Sequence, residues 1–227
     1  MRAVIFAALI FAGLGVLVWA TAKPNDGRAN PNSSFPKPAV DSPLAPSSGS
    51  ETAVLAGGCF WGIQAVFSHL KGVLSATSGY SGGDAGTAHY EEVSTGTTGH
   101  AESVKVIFDP SQISYGQILL IFFAVGHNPT ELNRQGPDYG TQYRSSIFYA
   151  TPEQKKIAEA YIAQLDAAKI YSQPIVTRVV PLQTFYPAED YHQDYLKHHP
   201  FEPYIVINDQ PKLTHLKKEF PDLYKDH

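Results

Sequence analysis

The run Thr52-Ala53-Val54-Leu55-Ala56-Gly57-Gly58-Cys59-Phe60-Trp61-Gly62-Ile63-Gln64-Ala65-Val66-Phe67 contains the only cysteine of a 227-residue sequence. Five small or apolar residues up to Ala56 read as a buried strand, and two glycines then break it. From Ile63 to Phe67 the apolar residues are spaced as on a helix. A strand that feeds a helix through Gly57-Gly58 puts Cys59 in the first helical turn. There, free backbone N–H groups and the positive end of the helix dipole favour a thiolate over a thiol. The competing reading is a cysteine packed inertly at a strand–helix junction.

Outward from this junction, Gly72–Tyr80 reads as a strand, followed by a glycine-rich loop, Ser81–Thr87. A second polar loop, Ser94–His100, leads into a strand over Ser103–Phe108, with Glu102 at its start. Asp109-Pro110 turns the chain into a helix reaching about Val125, and His127–Tyr143 is mostly loop. Ser145–Ala150 is a further strand. Thr151-Pro152-Glu153 then opens a long helix to about Ala168, with Thr151 as cap and Pro152 at its first position. Ile175–Val180 reads as a strand, and short helices are expected over Asp190–His198 and Thr214–Phe220. The string β-α-β, β-α-β predicts an α/β fold of the two-layer α+β kind. Its core is a split βαβ, ferredoxin-like unit with a mixed, largely antiparallel sheet and additional helices and loops.

Three segments are expected. Arg2 precedes eighteen uncharged apolar or small residues, Ala3–Ala20, and Ala20-Thr21-Ala22 offers a cleavage signal. Residues 1–22 therefore read as a signal peptide or an N-terminal membrane anchor, which places the rest outside the cytoplasm, periplasmic or otherwise extracytoplasmic. Residues 23–50, rich in Pro and Ser, read as a linker that Phe35 and Val40 pin in part to the core. Residues 51–227 are long enough for one well-cored catalytic domain. With 17 basic against 21 acidic residues and no basic block, nucleic acid is a poor partner. One cysteine excludes an internal disulfide and cysteine-held metal or iron–sulfur centres. Glu189 and His192, three apart, have the spacing of a metal pair, but no further ligands converge on them.

A cysteine nucleophile wants an acid, a base or a charged neighbour. None of the nine histidines has a spacing that ties it to Cys59. Glu102, at the base of a strand behind a glycine-rich loop, is the carboxyl group to watch: burial beside a thiolate would raise its pKa and make it a proton donor. Gly136–Arg144 packs Asp138, Tyr139, Gln142, Tyr143 and Arg144 into one irregular stretch, which needs partners to be ordered. Tyr90 is another phenol at a loop end. Phenols converging on a developing charge supply hydrogen bonds without adding charge.

Gly57–Gly62, Gly99-His100-Ala101-Glu102, Arg134-Gln135-Gly136 with Asp138 and Gly140–Ser145, and Ala188–Gln193 together resemble the A-type peptide methionine sulfoxide reductases over roughly residues 51–210. The resemblance implies an α/β domain with a split βαβ core, no cofactor, no metal, and specificity for the S epimer of methionine sulfoxide, free or in an oxidised polypeptide. It implies Cys59 as nucleophile and Phe60 and Trp61 as the substrate methyl pocket. Glu102 is the implied proton donor to the sulfoxide oxygen, Tyr90 and Tyr143 the phenols bonding it, and Asp138 the carboxylate supporting the network. Many members resolve the resulting sulfenic acid with a second cysteine near the C-terminus or at the position of Ser94. This sequence has neither, so the expected reductant is an external thiol, thioredoxin-like, glutaredoxin-like or small, acting on a monomer. Asn128 stands where the family often has Asp. A Cys-dependent acyl hydrolase or transferase lacks a histidine base in this reading. An exported binding module with an inert cysteine leaves Glu102, Tyr90 and Tyr143 unexplained.

Overall fold

A computed structural model describes residues 35–226, so the signal-peptide or anchor segment 1–22 and residues 23–34 of the linker lie outside the described residues. The protein runs β1 (Glu51–Ala56), α1 (Phe60–Ser68), β2 (Val73–Ser81), α2 (Tyr90–Val93), β3 (Ala101–Phe108) and α3 (Tyr115–Ile121). It continues through β4 (Arg134–Gln135), β5 (Asp138–Tyr139), β6 (Ser146–Tyr149), α4 (Pro152–Ala167) and β7 (Arg178–Pro181). Last come β8 (Phe185–Pro187), α5 (Tyr195–His198) and α6 (Gln210–Glu219). The main sheet has the order β7-β6-β1-β3-β2-β8, antiparallel throughout except for the parallel pair β6–β7. Its inner four strands, β6-β1-β3-β2, are the expected split βαβ core: β3 lies between β1 and β2, and β1 separates β3 from β6.

Alternation along β1 explains the layers. Ala53 and Leu55 join the main core with Phe67, Val104, Val106 and Ile118. Val54 and Ala56 face a smaller cluster with Ala101 and Phe148 on the other side of the sheet. The helices cover the main-core face. Thr151 caps α4 by accepting from the Gln154 N–H, with Pro152 at the first turn. Ser114 caps α3 in a reciprocal box with Gln117. That helix then widens into a π turn over Phe122–Gly126.

Residues 35–50 lie along this helical layer. Phe35 packs edge-on against Tyr171 at 5.9 Å, while Val40 is exposed. Asp41, which the sequence did not single out, accepts from the Ser114 hydroxyl and from Gly116 N–H at the start of α3. The Asp190–His198 helix of the sequence reading is corrected: it is a 3₁₀ turn, Asp190–His192, and a separate α5. Gln193 is the reason for the break. Its amide accepts from Ser78 N–H (2.9 Å) and donates to Ser78 C=O (3.0 Å), extending the edge of β2 beyond its pairing with β8. It also donates to Ala188 C=O and accepts from Gln64. A side chain used as a strand partner cannot sit in a regular helix, and Asp194 takes a left-handed φ of 51° to recover.

Gln193→Ala removes the acceptor of Ser78 N–H and one of two donors to Ser78 C=O, which keeps the Ala188 N–H at 2.9 Å. We expect a loss of roughly 1–3 kcal/mol in denaturant unfolding, because the buried N–H is left unpaired. A change below about 0.5 kcal/mol, the size of an ordinary surface substitution, would contradict this account.

Candidate active site

Cys59 is the N-cap of α1, one residue before its first turn, and is 8% exposed. Three close approaches place it. A Cβ on Gly57 would meet the His127 ring at 2.7 Å, and Gly58 has φ of 101° with Gln135 where a side chain would go. A Cβ on Gly62, in the first turn of α1, would collide with the Asp209 carboxylate. His127 is held between Phe122 C=O and the Ser145 hydroxyl, and burial pushes it down to about 3, so it is a neutral wall behind the glycine turn. Asp209 is completely buried, paired with Lys212 at 3.1 Å.

Glu102 is the second residue of β3 and 3% exposed. Its Oε2 accepts the N–H of Phe60 at 3.0 Å, so the carboxyl group sits on the open end of α1 next to Cys59. Burial pushes Glu102 up to about 8, and the nearby Asp138 and Asp209 add to the rise against the lowering effect of that N–H. At neutral pH the group is mainly the protonated acid. The helix-start argument for a resting thiolate is corrected here. Burial is the largest influence on Cys59 and raises its pKa well above the ordinary value, with Glu102 and Asp209 adding to it. The Trp61 N–H and Lys212 pull the other way and lose.

The remaining side chains close a cavity of about 270 Å³ lined by Cys59, Phe60, Trp61, Tyr90, Glu102, Asp138, Tyr143, Glu202 and Tyr204. All seven site residues expected from the sequence meet there. Phe60 is buried against Tyr80 and His192. Trp61 lies flat on Tyr195, with centroids 3.8 Å apart and planes within 7°, and edge-on to Tyr204. The Trp61 indole donates to His192 Nδ1 at 3.2 Å, which leaves the His192 proton on Nε2, facing Glu189 at 3.9 Å. Glu189 itself accepts from the Tyr80 hydroxyl and from Tyr90 N–H. Glu189 and His192 therefore brace Trp61, Tyr80 and α2, and their spacing serves packing.

Tyr90 begins α2 and Tyr143 ends a 3₁₀ turn, Thr141–Tyr143. That turn is ordered by Arg144, whose guanidinium donates to the carbonyls of Gly99, His100 and Thr141 at 2.7–2.9 Å. Gln142 donates to Ser94 C=O. The polar loop thus finds its partners in the Ser94–His100 loop. Asp138, on the β4–β5 hairpin, accepts the Tyr204 hydroxyl at 2.5 Å. Tyr204, Tyr195, Glu202 and Asp209 were missed from sequence. The one available signal was Tyr204 and Tyr195 as aromatics flanking a proline-broken segment, and it does not distinguish a site from packing.

Fold and cavity define a cysteine-centred α/β enzyme with a protonated carboxylic acid beside its sulfur. A family model described as peptide methionine sulfoxide reductase matches residues 51–224. The peptide methionine sulfoxide reductase MsrA 2 of Mesorhizobium japonicum is 59% identical over 187 residues, covering 82% of this chain and 95% of the relative. The protein of the same description from Synechocystis sp. is 50% identical over 193 residues, covering 84% and 90%. Among solved structures, methionine sulfoxide reductase A of Corynebacterium diphtheriae superposes with a TM-score of 0.60 at 34% identity, over 78% of this chain and 90% of that one. Mxr1 of Saccharomyces cerevisiae in its reduced form gives 0.61 at 30% identity, over 72% and 92%. The chain belongs to the peptide methionine sulfoxide reductase family, and the enzyme reduces methionine sulfoxide.

The charge states are open to measurement. Alkylation of Cys59 by a neutral haloacetamide should be slow at pH 7 and keep rising above the pH where an ordinary thiol levels off, since only the thiolate reacts. Glu102→Gln removes an anion that raises the Cys59 pKa, so its profile should shift to lower pH. A rate plateau reached below pH 7 in the unmodified protein would contradict the buried-thiol assignment. Linkage gives a second check. A carboxyl group raised from 4.5 to about 8 stabilises the fold fully below pH 4.5 and loses that contribution as pH climbs through 8. The unmodified protein should therefore lose stability relative to Glu102→Gln over that interval.

Proposed function

We propose that this chain reduces the S epimer of methionine sulfoxide, in oxidised polypeptides and free, by oxygen transfer to Cys59. The observation that carries the reading is the meeting of Cys59, the protonated Glu102 and the phenols of Tyr90 and Tyr143 around one cavity walled by Phe60 and Trp61. Sulfoxide oxygen is a poor leaving group until it is protonated. Glu102 gives its proton to that oxygen while Tyr90 and Tyr143 donate hydrogen bonds to it. Cys59 sulfur attacks the sulfoxide sulfur and forms an S–S bonded intermediate that carries the protonated oxygen. That hydroxyl then passes to the Cys59 sulfur as the S–O and S–S bonds break; methionine departs, Cys59 is left as sulfenic acid, and Glu102 recovers the proton that Cys59 gave up. One oxygen moves from substrate sulfur to cysteine sulfur, and the proton count is unchanged. The aromatic wall holds the substrate methyl group, which fixes the epimer that presents its sulfur to Cys59. Asp138 orients the polar side of the pocket through Tyr204.

With no second cysteine in the sequence, an external thiol returns Cys59 sulfenic acid to thiol in two steps: a mixed disulfide with loss of water, then exchange with a second thiol. A small thiol, a thioredoxin-like protein and a glutaredoxin-like protein all fit this chemistry. Residues 1–22 support action outside the cytoplasm, with the leader either cleaved after Ala22 or kept as a membrane tether, and the enzyme working as a monomer that repairs oxidised proteins.

Cys59→Ser should abolish turnover. Glu102→Gln should slow the single-turnover reduction step by about 10²–10⁴ with the fold intact. Substrate given without thiol should produce one equivalent of methionine and a dimedone-reactive Cys59. Consumption of the R epimer at an equal rate, or disulfide and dimer formation in the absence of added thiol, would contradict the corresponding parts of the reading.

A further inference from the structure

Asp209 and Lys212 both stand against the local rules of the helix they belong to. Asp209 is the residue before α6, where an aspartate ordinarily accepts a free N–H of its own helix, yet its side chain makes no such bond. Lys212 lies in the first turn of α6, the end at which the helix dipole disfavours a cation. Both side chains are turned toward α1 instead. The Asp209 carboxylate is fully buried; Oδ1 takes the Lys212 ammonium at 3.1 Å, and Oδ2 has no hydrogen-bond partner among the described residues. A Cβ on Gly62, three residues past Cys59, would strike the carboxylate and come within 2.7 Å of Lys212 Nζ. Burying such a pair rarely adds stability, because desolvation offsets the attraction. Two local rules broken at one point, with no gain to the fold, direct attention to what the pair does to its neighbours.

The neighbour that matters is Cys59. Glu102 from β3, Asp209 and Lys212 are the charged groups with the largest influence on it, and Lys212 is the one cation of the three. The phenols of Tyr90, Tyr143, Tyr195 and Tyr204 face the same sulfur and bring no formal charge. In attacking a sulfoxide the sulfur gives up its proton and carries negative charge. Asp209 alone behind the first turn of α1 would oppose that charge. We propose that Lys212 is a positioning residue for this reaction: it neutralises Asp209 behind Gly62, so that the start of α1 tolerates the anionic sulfur that attack requires. The proposal rests on the reading of Cys59 as the attacking sulfur and adds to it a charge balance held by α6.

Three variants separate a charge balance from a mere tether between α6 and α1. Lys212→Met leaves Asp209 unbalanced, Asp209→Asn leaves Lys212 unbalanced, and the double variant removes both charges. Alkylation of Cys59 by a neutral haloacetamide at about pH 8, below the plateau of a raised thiol, reports the thiolate fraction without substrate. It should slow about tenfold in Lys212→Met and quicken about tenfold in Asp209→Asn, the effect of one unit in the thiol pKa each way. The double variant should return to within about threefold of the unmodified protein. Single-turnover reduction of an S-sulfoxide peptide should slow about tenfold in Lys212→Met and recover in the double variant. Alkylation rates that move the same way in all three variants, or not at all, would mean a tether only and overturn the proposal. Should Lys212→Met not fold, the direction of the change in Asp209→Asn decides. Absence of sulfoxide reduction by the unmodified protein, whatever the alkylation rates, would instead overturn the site reading on which the proposal depends.

Discussion

The hydrogen bond from Phe60 N–H to Glu102 Oε2 joins the open end of α1 to the central strand β3. It decides what kind of site this is. A helix terminus has unpaired N–H groups that attract an anion, and in this fold the carboxyl group of Glu102 takes one of them while the cysteine stands beside it. One backbone donor does not offset the desolvation of a carboxylate that is 3% exposed, so the acid keeps its proton. The helix end holds Glu102 in place and leaves it neutral. The same burial keeps Cys59 a thiol. Position and charge state thus have one origin: strand β3 lies next to β1, and β1 hands the backbone to α1 through Gly57, Gly58 and Cys59.

That handover depends on volume as much as on hydrogen bonding. Gly57 leaves room for the neutral His127 ring, and Gly58 supplies a backbone conformation that side chains avoid. Gly62 admits the buried Asp209–Lys212 pair against the first turn of α1. Burying an ion pair is costly unless its geometry is good, and at 3.1 Å the pair is close enough for direct attraction. Its field reaches the site with opposite signs: Asp209 raises the Cys59 pKa and Lys212 lowers it. The two therefore oppose each other at the cysteine, and burial and Glu102 are the larger influences.

Legibility in the sequence tracked the range of the interactions. The βαβ string and the Thr151 cap were readable from local periodicity and helix-start signals, whereas the convergence of Cys59, Glu102, Tyr90, Asp138 and Tyr143 was implied by the family resemblance of the motifs that carry them. The resting state of Cys59 was misread. Helix-end position is visible in sequence, whereas the burial and the two carboxyl groups that outweigh it come from β3 and from the turn before α6. Gln193 was read as helical because a glutamine in a short polar run says nothing about bonding to Ser78, 115 positions earlier. Tyr204 and Glu202 were invisible for a similar reason. They follow a short helix broken by Pro200, and only the return of the C-terminal segment over Trp61 makes them part of the cavity.

A neutral resting site has a consequence for how the chemistry starts. Were Cys59 a thiolate and Glu102 a carboxylate, an entering sulfoxide would meet two buried like charges and no proton for its oxygen. Were they ionised oppositely, thiolate beside neutral acid, the negative charge would have to persist unsolvated between turnovers. With thiol and acid both neutral, no ion is stored, and the low exposure of Cys59 and Glu102 costs little in the free enzyme. Charge separates only once the strongly dipolar S–O group lies between the two. In the mechanism we propose, the phenols of Tyr90 and Tyr143 then stabilise the oxygen as it takes the Glu102 proton. The carboxylate that appears is the group left to accept the proton of Cys59. Burial of the pair therefore ties thiolate formation to substrate occupancy, which also protects a lone cysteine from oxidation while the pocket is empty.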